Sequence, residues 1–151
     1  IGRHCGTVWS HINAFWGDAV MKYDIKAFEF ECRALINRVL KDGCFREINH
    51  PATGKPYGGV QEWKGKIVGW KSECRQLWCA TGYLKLIFKD LLGLGFTENG
   101  LAIRPVKTKL CKEISVTGIK YRNAEINITV KNWNGEYFVP KNTKGKIEVE
   151  L

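Results

Sequence analysis

The chain has 151 residues, 44% of them hydrophobic, and a formal net charge of +9. That length suits one domain able to bury a core, and the apolar content excludes an intrinsically disordered polymer. No apolar run reaches the roughly 18 residues that a spanning helix needs, so no membrane partner is expected.

The first helix is expected over Ser10 to Met21, where Ile12, Phe15, Trp16, Ala19 and Val20 follow a helical spacing. Asp24 is a candidate N-cap for the next one, whose apolar positions Ile25, Phe28, Cys32, Leu35, Ile36 and Val39 repeat at three and four. Gly43 ends it as a C-terminal glycine. A connection of roughly 30 residues follows, and loops that long inside compact domains are commonly functional. Leu77, Ala80, Leu84, Ile87, Phe88 and Leu91 form a third amphipathic stripe, stopped by Gly93 and Gly95.

Beyond about residue 97 the period changes to two. Leu101 and Ile103, Ile114 and Val116, Ile126, Ile128 and Val130, and Ile147 and Val149 alternate, with turn signals at Asn99-Gly100, Asn123, Asn134-Gly135 and Lys144-Gly145. Antiparallel strands packed beside the helices are expected, giving an α+β class with a division into residues 1–96 and 97–151.

The stretch from Gly43 onward carries the chemistry. Glu47 lies in a Pro- and Gly-rich loop and is followed by Tyr57, Trp63, Trp70, Trp78 and Tyr83. A carboxylate among indoles suits a sugar, because aromatic rings offer flat apolar faces with polar edges. Trp63 and Trp70 fall in the loop and suit stacking, whereas Trp9, Trp16 and Trp78 lie on helical patterns where core packing is the commoner role. Trp133, beside Asn134-Gly135, reads as a strand-edge aromatic.

Lys and Arg are dispersed over the chain, which reads as a solvated basic surface, and no nucleic-acid partner is expected. The six cysteines show no C-x-x-C pair and read as buried free thiols. His4, Cys5 and His11 match no zinc spacing, so neither metal nor other cofactor is expected. Asn127-Ile128-Thr129 fits a glycosylation sequon, but its mid-strand position argues against use. The chain opens on Ile1 rather than Met, so it is expected to begin inside a longer or processed protein.

Three segments together resemble a known family. GRHCGTVWSHINAFWGDA, CFREINHPATGKPYGGVQEW and GWKSECRQLWCATGYLKLIFKDLLGLGFTENGLAIRPV are similar to the C-terminal part of glycoside hydrolases built on an (α/α)6 barrel, of the MGH1-like and family 63 type. The resemblance covers residues 2 to about 106 and implies helices from the end of such a barrel followed by a small antiparallel β region. It implies that Glu47 is the general base of an inverting hydrolysis. It also implies that Trp9, Asn13, Trp16, Trp70, Gln76 and Trp78 lie near the sugar pocket, beside the loop aromatics Tyr57 and Trp63. Arg75 and Cys79 depart from the family pattern, where an acidic residue and a Ser are expected.

Inverting hydrolysis needs a second carboxyl group, roughly 6.5–9.5 Å from the base. Asp18, Glu62 and Glu73 are the nearest candidates within the chain, and none is singled out as the acid. The expectation is therefore the C-terminal portion of a glycosidase acting on an oligo- or polysaccharide, incomplete as an isolated chain. A non-catalytic carbohydrate-binding remnant is the alternative. Three barrel helices would leave Phe15, Phe28, Phe30, Leu86 and Phe88 exposed, so the rest of a parent domain or a second copy is expected to cover them. The sequence leaves the location open between the bacterial cytoplasm and the secreted or periplasmic space.

Overall fold

A computed structural model describes residues 2–151, which divide into two compact units, the first ending at Leu86 and the second spanning Ile87–Leu151. The first unit contains β1 (Val8–Trp9), α1 (Ser10–Val20), α2 (Ile25–Asp42), β2 (Ile48–Asn49), β3 (Val60–Trp63), β4 (Lys66–Gly69) and α3 (Leu77–Lys85). α1 packs against both α2 and α3. It buries Ser10, Ala14, Gly17 and Val20, a stripe at helical spacing made mostly of small side chains. α2 contributes Phe28, Cys32 and Leu35.

Both ends of α2 follow their sequence signals. The Asp24 carboxylate accepts from the backbone N–H groups of Lys26 (2.9 Å) and Ala27 (3.1 Å), satisfying donors that the first turn leaves free. Gly43 sits at φ 62° and donates its N–H to Val39 O, the left-handed C-terminal cap that a residue without Cβ adopts at least cost.

The connection between α2 and α3 is not a plain loop. β1 and β2 pair antiparallel, with Val8 opposite Asn49 and Trp9 opposite Ile48. β3 and β4 form a hairpin whose two central residues, Lys64 (φ 53°) and Gly65 (φ 73°), both lie in the left-handed region. Two such residues make a type I′ turn, whose twist matches the flanking strands. Lys-Gly is a weaker signature of that turn than Asn-Gly, which is why the hairpin is hard to see in the sequence.

The expected fold is corrected here. The helices are not the end of an (α/α)6 barrel: only three α-helices occur among the described residues, of 11, 18 and 9 residues, and four small sheets accompany them. The third amphipathic stripe does not continue as one α-helix; after α3 it widens into a π-helical segment, Leu86–Leu91. Hydrophobic spacing of three and four reports one buried helix face, and a small mixed unit demands such a face just as a barrel does. Of the side chains expected to be left uncovered, Phe15 and Phe30 are exposed, but Phe28 and Leu86 are fully buried.

The second unit contains β5 (Leu94–Phe96), β6 (Gly100–Ile103), β7 (Ile114–Tyr121), β8 (Asn123–Val130), β9 (Tyr137–Pro140) and β10 (Lys144–Glu150). One sheet has the order β5-β6-β9, antiparallel throughout. The other has the order β10-β8-β7, and here the expectation of purely antiparallel strands is also corrected, because β10 runs parallel to β8. The chain leaves β8, forms β9 in the other sheet and returns, so it re-enters beside β8 in the same direction. β8 is central and buries Ala124, Ile126, Ile128 and Val130 on one face. A bulge between Val116 and Ile119 is closed by Gly118, whose N–H donates to Asn127 Oδ1 at 2.8 Å. That bond, and one from Asn127 Nδ2 to Glu148 Oε1 (2.8 Å), engage the sequon asparagine within the sheet. Trp133 is buried rather than lying at an exposed strand edge.

Candidate functional site: a guanidinium between a carboxylate and two indoles

Glu47 enters the site on backbone that is held from both sides. Its N–H donates to Glu73 O (2.9 Å), the Gln76 N–H donates to Phe45 O (2.8 Å), and the Ile48 N–H donates to Ser72 Oγ (3.0 Å). The residue is 7% exposed. A carboxylate so far from water requires a partner, and Arg3 supplies it: Nη2 donates to Glu47 Oε1 at 2.9 Å, while Oε2 accepts a longer bond, 3.4 Å, from the Glu73 N–H.

Two adjacent glycines admit close backbone here, Gly59 that of Arg3 and Gly58 that of Trp70. The Arg3 N–H donates to Val60 O at 2.8 Å, which lays the N-terminal segment along β3. Gly59, at φ 73°, passes so close that a Cβ there would stand 2.7 Å from the Arg3 backbone, and a Cβ on Gly58 would stand 2.2 Å from Trp70 O. The Trp70 N–H in turn donates to Gly59 O at 2.9 Å. The guanidinium thereby lies 4.8 Å above the Trp70 ring and 6.0 Å from the Trp9 ring, within cation–π range of both.

The aromatic row continues away from Arg3. His4 stacks on Trp9 at 5.6 Å, His11 meets Trp9 edge-on at 5.5 Å, and Trp78 meets His11 edge-on at 5.7 Å. Burial lowers the pKa of His11 and the negative charge of Glu47 opposes that shift, so the imidazole is held neutral at physiological pH. Beside it an apolar groove of about 420 Å³ is lined by His11, Ile12, Phe15, Trp78, Thr81 and Lys85.

The structure brings together Glu47, Trp9, Trp70 and Trp78 from the sequence-derived set, and Trp63 joins them edge-on to Trp70 at 6.5 Å. Tyr57 lies against His50 instead, at 5.4 Å. Asn13 donates to Glu31 Oε2 at 2.8 Å and so ties α1 to α2. Gln76 is the N-cap of α3, where its carbonyl accepts from Ala80. Trp16 projects from α1 with about half its surface exposed. Among the other carboxylates considered, Asp18 pairs with Lys85 at 2.9 Å, Glu62 is exposed on the hairpin, and Glu73 meets Glu47 through its backbone.

Arg3 and His11 are the site residues that sequence reasoning did not place here. Arg3 stands 44 positions from Glu47 in sequence, and nothing in GRH marks it as a partner. Among the described residues no group of His, Cys, Asp or Glu is arranged to hold a metal ion, and no helix is long and apolar enough to cross a membrane.

No family model, no curated protein and no solved structure matches the chain. The resemblance to (α/α)6-barrel glycoside hydrolases is overturned by that finding together with the fold, which is built of small sheets and three α-helices rather than paired barrel helices.

Proposed function

We propose that the first unit carries a saccharide-binding face, with Trp70, Trp63 and Trp78 stacking on sugar rings and the Arg3–Glu47 pair fixing the row between them. The observation that carries this reading is the position of Arg3, clamped to Glu47 at 2.9 Å while lying 4.8 Å over Trp70. The pair sets the orientation of an indole that remains 38% exposed, and Trp63 and Trp78 are more exposed still, at 55% and 65%. Exposed indoles held rigid beside polar groups lose little conformational entropy when a flat, amphipathic ligand stacks on them. Calorimetric titration with a panel of soluble oligosaccharides tests the reading. Binding of at least one of them, weakened about tenfold by Trp70→Ala (~1.4 kcal/mol), is expected. Absence of binding across the panel at millimolar sugar would remove it.

A second reading, in which Glu47 is the general base of a glycoside hydrolase, is supported by the uneven use of its two oxygens. Oε2 holds only the 3.4 Å contact to the Glu73 N–H, which leaves it the freer acceptor for a water. Release of reducing ends by the unaltered chain, abolished by Glu47→Gln while binding survives, is the expected result. A chain that binds sugar and releases nothing returns Glu47 to a positioning role.

A further inference from the structure

One end of the sheet β10-β8-β7 gathers positive charge around a shallow cleft of about 470 Å³, lined by Lys120, Arg122, Asn123, Glu125, Gly145 and Lys146. The register sets Lys120 of β7 and Lys146 of β10 opposite Glu125 of β8, one from each side, and Lys144 opposite Asn123. Cross-strand partners share a face of a sheet, so these side chains stand together. Lys120 bonds to the Glu125 carboxylate, and Lys146 reaches Glu148 at 3.4 Å. Among the described residues, neither Arg122 nor Lys144 is paired with a carboxylate, so cations are in excess at this end. Arg122 carries a second, independent signal. It lies in the tight turn that joins Tyr121 to its partner Ala124, and its φ of 53° falls in the left-handed region. Glycine adopts that backbone at least cost, whereas a residue with a Cβ is strained there. Strain of this kind collects at ligand sites, where the side chain it presents has a use. The guanidinium is steadied over the Tyr121 ring, 5.9 Å from its centre.

We propose that this cleft is a binding site for a tetrahedral oxyanion, the phosphate or sulfate group of a small molecule. Arg122 offers a planar fork of N–H donors that matches two oxygens of such a group. Lys120 and Lys146 flank it with compact charges, Lys144 adds a third beside them, and Asn123 adds a side-chain amide. Gly145, at φ 81°, leaves the floor bare, and a Cβ there would meet no atom within 4 Å. Glu125 opposes an anion, but Lys120 already neutralises it. The net charge of +9 raises the concentration of anions near the chain and favours their entry. A phosphate ester carries close to two negative charges at neutral pH, so it is expected to bind more tightly than a singly charged sulfate ester.

The cleft lies wholly in the second unit, so this inference stands independently of the proposed function. The test titrates the isotope-labelled full chain with inorganic pyrophosphate at low ionic strength and follows its backbone amide resonances. Saturable shifts centred on residues 120–125 and 144–146 are expected. Arg122→Gly removes the guanidinium at a φ that glycine favours, so the fold is kept, and affinity for pyrophosphate should fall about tenfold. Lys41→Ala, on α2 in the first unit, should leave that affinity unchanged. Glucose 6-phosphate and glucose 6-sulfate form the second arm, and the one that moves the same amides at lower concentration identifies the group the cleft accepts. The absence of any shift at millimolar pyrophosphate would overturn the proposal. So would shifts scattered over lysines and arginines of both units, or an Arg122→Gly chain that binds pyrophosphate as tightly as the unaltered one. Mapping on the unaltered chain decides the matter whatever the variants do.

Discussion

Arg3 and Glu47 meet as a largely buried ion pair, with side-chain exposures of 16% and 9%, and the arginine of that pair is also the cation lying over Trp70. One guanidinium thus connects the carboxylate that draws attention in the sequence to a partly exposed indole of the same loop. Removing either member leaves the other charge uncompensated and largely away from water.

Truncating this pair is expected to be costly. Glu47→Ala should destabilise the chain by about 3–5 kcal/mol, since it abandons a largely buried guanidinium. The double variant Arg3→Ala/Glu47→Ala should lose clearly less than the sum of the two single changes, because the two residues share one interaction. Urea denaturation of the four chains gives the comparison, and simple additivity would show that the pair contributes nothing as a pair.

The glycine that admits Arg3 provides a separate handle. Gly59→Ala places a Cβ 2.7 Å from the Arg3 backbone at a residue whose φ is 73°. A loss of about 1–3 kcal/mol is expected from strain and displacement together. The Trp70 fluorescence spectrum should shift as the guanidinium moves off the ring. An unchanged spectrum with unchanged stability would mean that the close approach does not position Arg3.

Acid should weaken the fold through His11. Its pKa is lowered in the folded state, chiefly by burial, so the unfolded chain binds the proton more readily. The stability associated with the neutral imidazole is therefore fully present above the unfolded value of about 6.5. It is lost as pH falls from there toward the lower folded-state value. Denaturation midpoints of the unaltered chain and of His11→Gln, measured between pH 7.5 and 5, should converge as pH falls if this is so, and parallel curves would refute it.

Capping and core positions offer controls away from the site. Asp24→Ala removes the acceptor for two α2 N–H groups and should cost about 1 kcal/mol. Ile128→Ala, at a fully buried position on the central strand of its sheet, should cost about 2–5 kcal/mol. Neither change should alter sugar binding measured by calorimetry, which distinguishes a general loss of fold from damage to the face.

What the sequence by itself determined is what near neighbours dictate. The helix over residues 10–20, the Asp24 cap, the Gly43 stop and the alternating strand of Ile126, Ile128 and Val130 each follow from contacts within a few positions along the chain. Local signals also drew attention to Glu47 and the loop indoles. Tertiary structure decided the rest. A helical stripe states which face is buried but not against what, so one spacing is compatible with barrel helices and with a small unit that has two short sheets. The parallel pairing of β8 and β10 depends on where the chain travels between them, which alternation along either strand does not encode. Arg3 meets Glu47 where Gly59 admits its backbone closely, and a contact made by folding across that separation leaves no periodic trace in the residues that make it.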